Sequence, residues 1–391
     1  MNGFRSLRRP VSVAALATFG LVLAACGSGS GGGGSDDTLK IGAVVPLSGT
    51  SQVYGNDYRK AIDICVDFAN TEMDLKSKLD VTYTDGQGLP APSVTAMNKL
   101  VNVDKAEAVI TGFSAPTKAL APIANQRKIP IFNGGASSPD LEGLGDYVFN
   151  NIPLADAQIP AMADYLVNKK KLTKWYVLLS NETLGISLRD AVKKELPKVG
   201  GEYLGASEIA PTASDFGAQI AKVRAAKPDV IYLAVSSGGQ PPVLVRQMRQ
   251  AGIDAQLASF AGQDGTDMRA EPAANGSLFT SQAIDLDNDD VLTNYFVDTF
   301  AKKYKDAAPS ILQSNYCGIV STIAQAAKSL EESGEDVNGE NIGKAIHDTG
   351  TFPVVGGDVT FTKDGTVKLP IDIILLEDGK TTVQDTFGAT K

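Results

Sequence analysis

From residue 39 onward, hydrophobic and polar positions follow one repeating rhythm. A short run rich in β-branched and apolar residues comes first, then a Gly/Ser/Pro turn, then apolar positions three and four apart. The strand-like runs fall at 39–46, 81–85, 106–112, 129–132 and 147–150, and again at 175–180, 202–209, 230–235, 257–260 and 277–283. Between them, Ala61, Ile62, Cys65 and Phe68 recur at helical spacing, and 215–226 and 241–251 behave alike. Strand alternating with helix predicts parallel sheets covered on both faces. The unbroken apolar run Ile231-Tyr232-Leu233-Ala234-Val235 agrees, because strands buried on both sides lose the polar alternation. Two such blocks predict an α/β protein of two doubly wound lobes.

After residue 283 the rhythm breaks. Two or three helical stretches follow, at 290–304, 311–332 and 338–348, and then a hairpin-like segment over 358–377 turning at Lys363-Asp364-Gly365. This tail has too few strands for a sheet of its own, so it must complete lobes already begun. The division expected is lobe 1 at 38–153 plus 284–354, and lobe 2 at 154–283 plus 355–391.

The N-terminus has a different character. Arg5, Arg8 and Arg9 precede an apolar run over 11–25, which is shorter than the ~20 residues of a spanning helix. A basic start, a short apolar stretch and small residues read as a secretory signal over 1–25. Leu23-Ala24-Ala25-Cys26 resembles a bacterial lipobox, which implies cleavage before Cys26 and lipid attachment to its sulfur. The Gly/Ser/Asp stretch that follows, through residue 37, cannot bury a core and reads as a tether. Its formal G-x-G-x-x-G match at Gly27, Gly29 and Gly32 lacks the strand before and the helix after that dinucleotide binding requires.

Charge and rare residues narrow the function. The chain carries 36 Lys+Arg against 45 Asp+Glu, a net charge of −9, and three of its cations lie in the signal. An acidic body argues against nucleic acid. His347 is the only histidine, which excludes multi-histidine metal sites and weakens Ser-His-Asp or Cys-His catalysis; it reads as a cation at a helix C-terminus. Cys65 and Cys317 lie within helical patterns and read as buried thiols, with a bridge between them as the alternative in an oxidising compartment. The acidic run over 285–290 lacks the glycine of a calcium loop and reads as a solvated connection. No cofactor loop or metal set stands out.

Open α/β sheets bind ligands beyond the carboxyl ends of their strands. There the sequence places Pro46-Leu47-Ser48-Gly49-Thr50 followed by Tyr54-Gly55, then Gly112-Phe113-Ser114, and Gly134-Gly135-Ala136-Ser137-Ser138. Small and hydroxyl residues at helix starts suit an anion, with N-capping as the plain alternative for Ser114. In the second block Ser236-Ser237-Gly238 and Gly262-Gln263-Asp264-Gly265 occupy the equivalent places. Asp264 there is either an acceptor for an ammonium group or an Asx turn.

Taken in order, Ile41-Gly42-Ala43-Val44-Val45-Pro46-Leu47-Ser48-Gly49, Tyr54-Gly55, Gly112-Phe113-Ser114, Ala121-Pro122-Ile123-Ala124, Ile129-Pro130-Ile131, Val245-Arg246-Gln247-Met248-Arg249-Gln250-Ala251-Gly252 and Gly262-Gln263-Asp264-Gly265 resemble the leucine/isoleucine/valine-binding protein family, the type I periplasmic binding proteins of branched-chain amino-acid ABC importers. The likeness spans about 39–379. It implies two lobes joined by three crossovers, a ligand in the cleft, and capture by lobe closure without chemistry. It also implies that Ser114, Ser137 and the backbone of Ala136 hold a ligand carboxylate, that Asp264 faces the ammonium, and that Tyr54 lines the mouth. Two positions depart from the family: Leu184-Gly185 stands where Tyr-Gly is frequent, and Ser236-Ser237-Gly238 replaces a second aromatic. The amino-acid end is retained and the side-chain pocket altered, with Leu184 and Ser237 on its walls.

The expectation is an extracytoplasmic, lipid-anchored, monomeric solute-binding protein that delivers an amino acid or analogue to ABC permease subunits. The alternatives are a receptor module of the same fold for amides, urea-like solutes or aromatic acids, feeding transport or signalling, and a lipid-anchored hydrolase using Ser114 or Ser137. Replacement of Cys26 by Ser is expected to release the protein into the medium or leave it unprocessed. Fractionation would refute the anchor if the variant stayed on the membrane at mature size.

Overall fold

The computed structural model describes residues 38–235, 239–263, 265–305 and 307–388. The expectations for Cys26 and the tether, for Ser237 and for Asp264 lie outside the described residues.

The first sheet holds five parallel strands in the order β2-β1-β3-β4-β5: β1 (Thr38–Val45), β2 (Lys78–Asp85), β3 (Ala108–Thr111), β4 (Ile131–Asn133) and β5 (Val148–Asn150). Helices α1 (Gln52–Glu72), α2 (Pro90–Lys99) and α3 (Ser114–Arg127) connect them. The chain then crosses to α4 (Ala155–Asp164) and builds β6 (Lys174–Ser180), α5 (Thr183–Glu195), β7 (Glu202–Ile209), α6 (Gly217–Ala226), β8 (Val230–Ala234), α7 (Gln240–Gln250), β9 (Gln256–Ser259), the short α8 (Thr266–Arg269) and β10 (Leu278–Gln282). It crosses back to α9 (Val291–Lys303), α10 (Ile311–Ser333), α11 (Gly339–Thr349) and a hairpin of β11 (Thr351–Val354) and β12 (Gly357–Thr360). It crosses a third time to β13 (Ile371–Glu377) and β14 (Lys380–Phe387). The second sheet runs β14-β13-β10-β9-β8-β6-β7, parallel except at β13 and β14.

The inner strands of each sheet are buried on both faces, which is why they read as unbroken apolar runs. On the first sheet Ile41, Ala43 and Ile110 face α1 and α10, while Val44, Val109 and Ile131 face α2 and α3. On the second, Trp175, Val177 and Tyr232 pack on α4 and α5, and Ile231, Leu233 and Leu257 on α6 and α7. Helix α10 is buried around most of its circumference, from Leu312 to Leu330. It begins at a capping box: Ser310 accepts from the Gln313 N–H and Gln313 Oε1 accepts from the Ser310 N–H.

Two expectations change. Cys65 of α1 and Cys317 of α10 form a disulfide inside the first lobe's core rather than remaining thiols. The two helices pack side by side, and a 3.6-residue period carries no information on which thiol faces which. The division between lobes at 354/355 also moves. Val359, Phe361 and Val367 belong to the core of the first lobe, so the third crossing lies between Val367 and Ile371. Phe361 packs edge-on to Phe149 of β5, and that contact outweighs the hairpin's proximity in sequence to β13.

Among the described residues no helix is long and apolar enough to cross a membrane, and no group of three or more metal-ligating side chains is found. Asp290 of the acidic run caps α9, accepting from the Thr293 N–H at 2.8 Å. Reduction of Cys65–Cys317, or its removal by Cys65→Ala with Cys317→Ala, is expected to cost about 2–5 kcal/mol. Calorimetry with and without reductant would show it as a lowered melting temperature, and an unchanged one would contradict the bridge.

Candidate functional site

In each lobe the strand order reverses beside the first strand of the block, β1 in one and β6 in the other. The crevice outside the carboxyl ends of strands at such a reversal is where open sheets hold ligands. A cavity of about 220 Å³ lies there, walled by both lobes. Its lining comes from Tyr54 and Tyr58 of α1, Phe113 to Pro116 at the start of α3, and Gly135 and Ala136 after β4. From the second lobe come Glu182, Thr183 and Leu184 at the start of α5, with Phe260, Gly262 and Gln263 after β9. Gly88, Leu89 and Pro90 edge the opening. The volume is below that of drug-sized sites and suits a small metabolite.

Two glycines explain how Tyr54 and Leu184 reach this place. A Cβ on Gly55 would lie 1.8 Å from the Pro46 carbonyl oxygen, and one on Gly185 would lie 2.2 Å from that of Ser180. In both lobes the helix that follows the first strand therefore sits directly on that strand's end, and the residue before the glycine is turned into the cavity. Tyr54 meets the Phe113 ring edge-on at 6.0 Å, and Tyr58 stacks on Tyr316 beneath it at 3.9 Å.

The lining carries no Lys, Arg or His among the described residues. Its positive potential comes from two helix starts, whose first N–H groups lack intrahelical acceptors. Helix α3 opens with Phe113 at the cap position and no side-chain cap, so Ser114 is the first helical residue and not the N-cap. The Ser114 hydroxyl is buried and has no hydrogen-bond partner. Helix α5 opens likewise with Glu182 at the cap position and no side-chain cap.

The other predicted residues fare differently. Ala136 lines the cavity, but its N–H donates to Asn133 Oδ1 at 2.7 Å and its carbonyl accepts from Asn133 Nδ2 at 2.7 Å. It contributes wall, not a free donor. Ser137 is fully buried behind the lining, with Gln158 Nε2 donating to its hydroxyl at 3.2 Å. The Leu47-Ser48 turn is held by Asp85, which accepts from the Leu47 N–H and the Ser48 hydroxyl, and it does not line the cavity. Tyr54, Ser114, Ala136 and Leu184 are thus brought together, with Ser137 one layer behind.

The second lobe supplies acceptors. Gln263 is 1% exposed; its Nε2 donates to the Val235 carbonyl at 2.9 Å and its Oε1 has no partner. Asp267 lies behind Tyr54: a Cβ on Gly265 would touch both. Its Oδ1 accepts from the Met268 N–H and its Oδ2 is buried without a partner. Burial, with Asp57 nearby, holds the Asp267 carboxyl above the usual carboxylate range. Burial and then Asp267 push the Tyr54 phenol up, while the Gln263 amide opposes them; the Tyr54 hydroxyl still closes no hydrogen bond of ordinary geometry. Gln263, Asp267, Glu182 and Thr183 were not singled out as site residues in the sequence. Glu182 and Thr183 follow the end of β6 and were open to the strand-end rule; Asp267, in a four-residue helix, left no periodic trace.

The chain matches the periplasmic binding protein family over residues 38–380. It is 26% identical over 353 residues to the Leu/Ile/Val-binding protein homolog 3 of Brucella melitensis, covering 88% of this chain and 92% of that one. To an amino acid binding protein of Pseudomonas aeruginosa it is 28% identical over 228 residues, 57% of this chain and 60% of the other. In structure it is similar to a leucine binding protein from Thermotoga maritima, with a TM-score of 0.80, 19% identity and coverage of 90% and 99%. It is similar also to a solute binding protein of an R. palustris ABC transporter in complex with benzoate, with a TM-score of 0.80, 20% identity and coverage of 89% and 96%. Proteins of this family bind solutes and do not transform them, so the hydrolase alternative is set aside. With its two α/β lobes and a cavity at the paired strand reversals, the chain belongs to the periplasmic binding protein family, in its Leu/Ile/Val-binding branch.

Proposed function

We propose that this protein is the lipid-anchored solute-binding component of an ABC importer and captures a small carboxylate-bearing metabolite, an amino acid or close analogue, by closing its two lobes. The observation that carries the reading is the pair of helix starts. Helices α3 and α5 come from opposite lobes and line one cavity with their first turns, beside the unpartnered Ser114 hydroxyl and, among the described residues, with no cationic side chain. Such a site receives an anion through N–H groups and dipoles. Gln263, on the second lobe, supplies an acceptor for the ligand's other end. Asp264, adjacent to Gln263, adds an acid there in the reading from resemblance. Closure by hinge motion brings the two halves together.

A second reading is favoured by the walls. Tyr54, Tyr58, Phe113 and Phe260 give the cavity four aromatic rings, and Leu184 stands where the resemblance implies a fifth. That lining suits an aromatic carboxylate such as the one held by the R. palustris neighbour.

A thermal-shift screen across amino acids, amides and aromatic acids separates the readings. A ligand at about a hundred times its dissociation constant adds about 2.7 kcal/mol to the native state. Ser114→Ala should weaken the best hit by about 1.5–3 kcal/mol, as for a hydrogen bond to a charged group. Unchanged affinity in isothermal titration would remove Ser114 from the site.

Asp267 gives a pH signature in the protein without ligand. A carboxyl raised in the folded state binds its proton more tightly there than in the unfolded chain. Stability is therefore greatest below the ordinary carboxyl range and falls as pH rises through the raised value. Asp267→Asn should raise the melting temperature near pH 7 and leave it unchanged near pH 3. Calorimetry showing the same difference at both would refute the assignment.

A further inference from the structure

We infer that Tyr54 and Gln263 form a cross-lobe clamp for an uncharged hydroxyl or amide group on the ligand, so that this group sets the protein's specificity. The inference rests on the reading of the cavity as a carboxylate site, and it concerns the end of the ligand away from the carboxylate.

The argument begins with the orientation of one amide. Gln263 Nε2 donates to the Val235 carbonyl at 2.9 Å. Exchanging the amide's oxygen and nitrogen would set two carbonyl oxygens against each other, so the donor side is fixed in the protein and Oε1 is left as the free face. That oxygen is buried, belongs to a residue that is 1% exposed on the cavity wall, and has no partner. A buried acceptor without a donor is destabilising, so the site is complete only when a donor arrives.

The second half stands on the opposite lobe. The Tyr54 hydroxyl, on a side chain 4% exposed, also lacks a partner. Tyr54 lines the same cavity as Gln263, and a Cβ on Gly265, two residues after Gln263, would touch its ring at 3.5 Å. The two atoms close no hydrogen bond with each other, so the phenol is left without an acceptor and Gln263 Oε1 without a donor. One ligand group that accepts from Tyr54 and donates to Gln263 answers both. Hydroxyls and carboxamides do this; an ammonium has no acceptor, and a methyl group has neither. A carboxamide does not titrate, so the selection holds at every pH at which the protein is folded. Because Tyr54 belongs to the first lobe and Gln263 to the second, the bridging group also ties the lobes together.

The test uses carboxylates matched in size that differ in one terminal group: 4-hydroxybenzoate against benzoate, tyrosine against phenylalanine, and glutamine against norleucine. Titration calorimetry on the wild-type protein is expected to place the tightest binder among the hydroxyl or amide members, at least about tenfold tighter than its partner. In Gln263→Met, which keeps the length of the side chain and removes both polar atoms, the ratio should fall below about threefold. Tyr54→Phe should lower it in the same direction, and it serves where Gln263→Met does not fold. Equal binding of the members by the wild type, or a ratio that survives in a folded variant, overturns the clamp and leaves the carboxylate site standing. Failure of every pair to bind overturns the carboxylate site and the clamp with it.

Discussion

The crossings between two lobes place backbone and polar side chains where water does not reach, and neutral carboxamides satisfy several of them. Asn133 at the end of β4 accepts from the Gly135 and Ala136 N–H groups and donates to the Ala136 carbonyl and to Asn150 Oδ1. Asn151, on the first crossing, donates to the Asn315 carbonyl at 3.0 Å, and Gln282, at the second, donates to the Asn315 side chain. Gln158 of α4 donates to Ser137 and accepts from the Ala261 N–H and the Thr280 hydroxyl, so one amide holds parts of both lobes. Charged pairs here would carry a desolvation penalty in every arrangement of the lobes. Amides have two donors and two acceptors each and carry none of that penalty. The shape of the Gly135-Ala136 wall, and so of the cavity, depends on this set.

The cavity inherits the same economy of charge. Among the described residues its lining includes two helix starts, the Ser114 hydroxyl and the Gln263 amide, and no Lys, Arg or His. Helix dipoles attract an anion with a strength that fades within a turn, and they lose little when the ligand leaves. A binding protein that must surrender its cargo is served by a site of this kind, in which affinity depends on both lobes being present together.

Much of this architecture is legible in the sequence because burial on both faces erases polar alternation. The run Ile231 to Val235 and the helical spacing of Ala61, Ile62, Cys65 and Phe68 carry that information locally. Strand ends then point to Tyr54 and Ser114, and the family resemblance to Leu184. What was not legible depends on long-range geometry. The Ala136 N–H is engaged by Asn133, three residues earlier, through a turn the sequence does not specify. The Cys65–Cys317 bridge depends on two helices meeting face to face. The hairpin at 351–367 joins the first lobe because Phe361 reaches Phe149. Gln263 looks like one more turn residue until the Val235 carbonyl is seen to fix its amide.

The disulfide joins residues 252 apart, and the whole of the second sheet's parallel part lies between them. A chain that emerges from its N-terminus presents α1 with Cys65 early and α10 with Cys317 late. The first lobe therefore cannot seal while the chain is being delivered: β1 to β5 must wait, with one face of their sheet uncovered by α10, until the second lobe has passed. The second lobe, contiguous from α4 to β10 and lacking only β13 and β14, has most of its contacts in hand sooner. Order of appearance and order of completion are thus reversed, and a bond that must wait for α10 locks the part of the molecule that was made first.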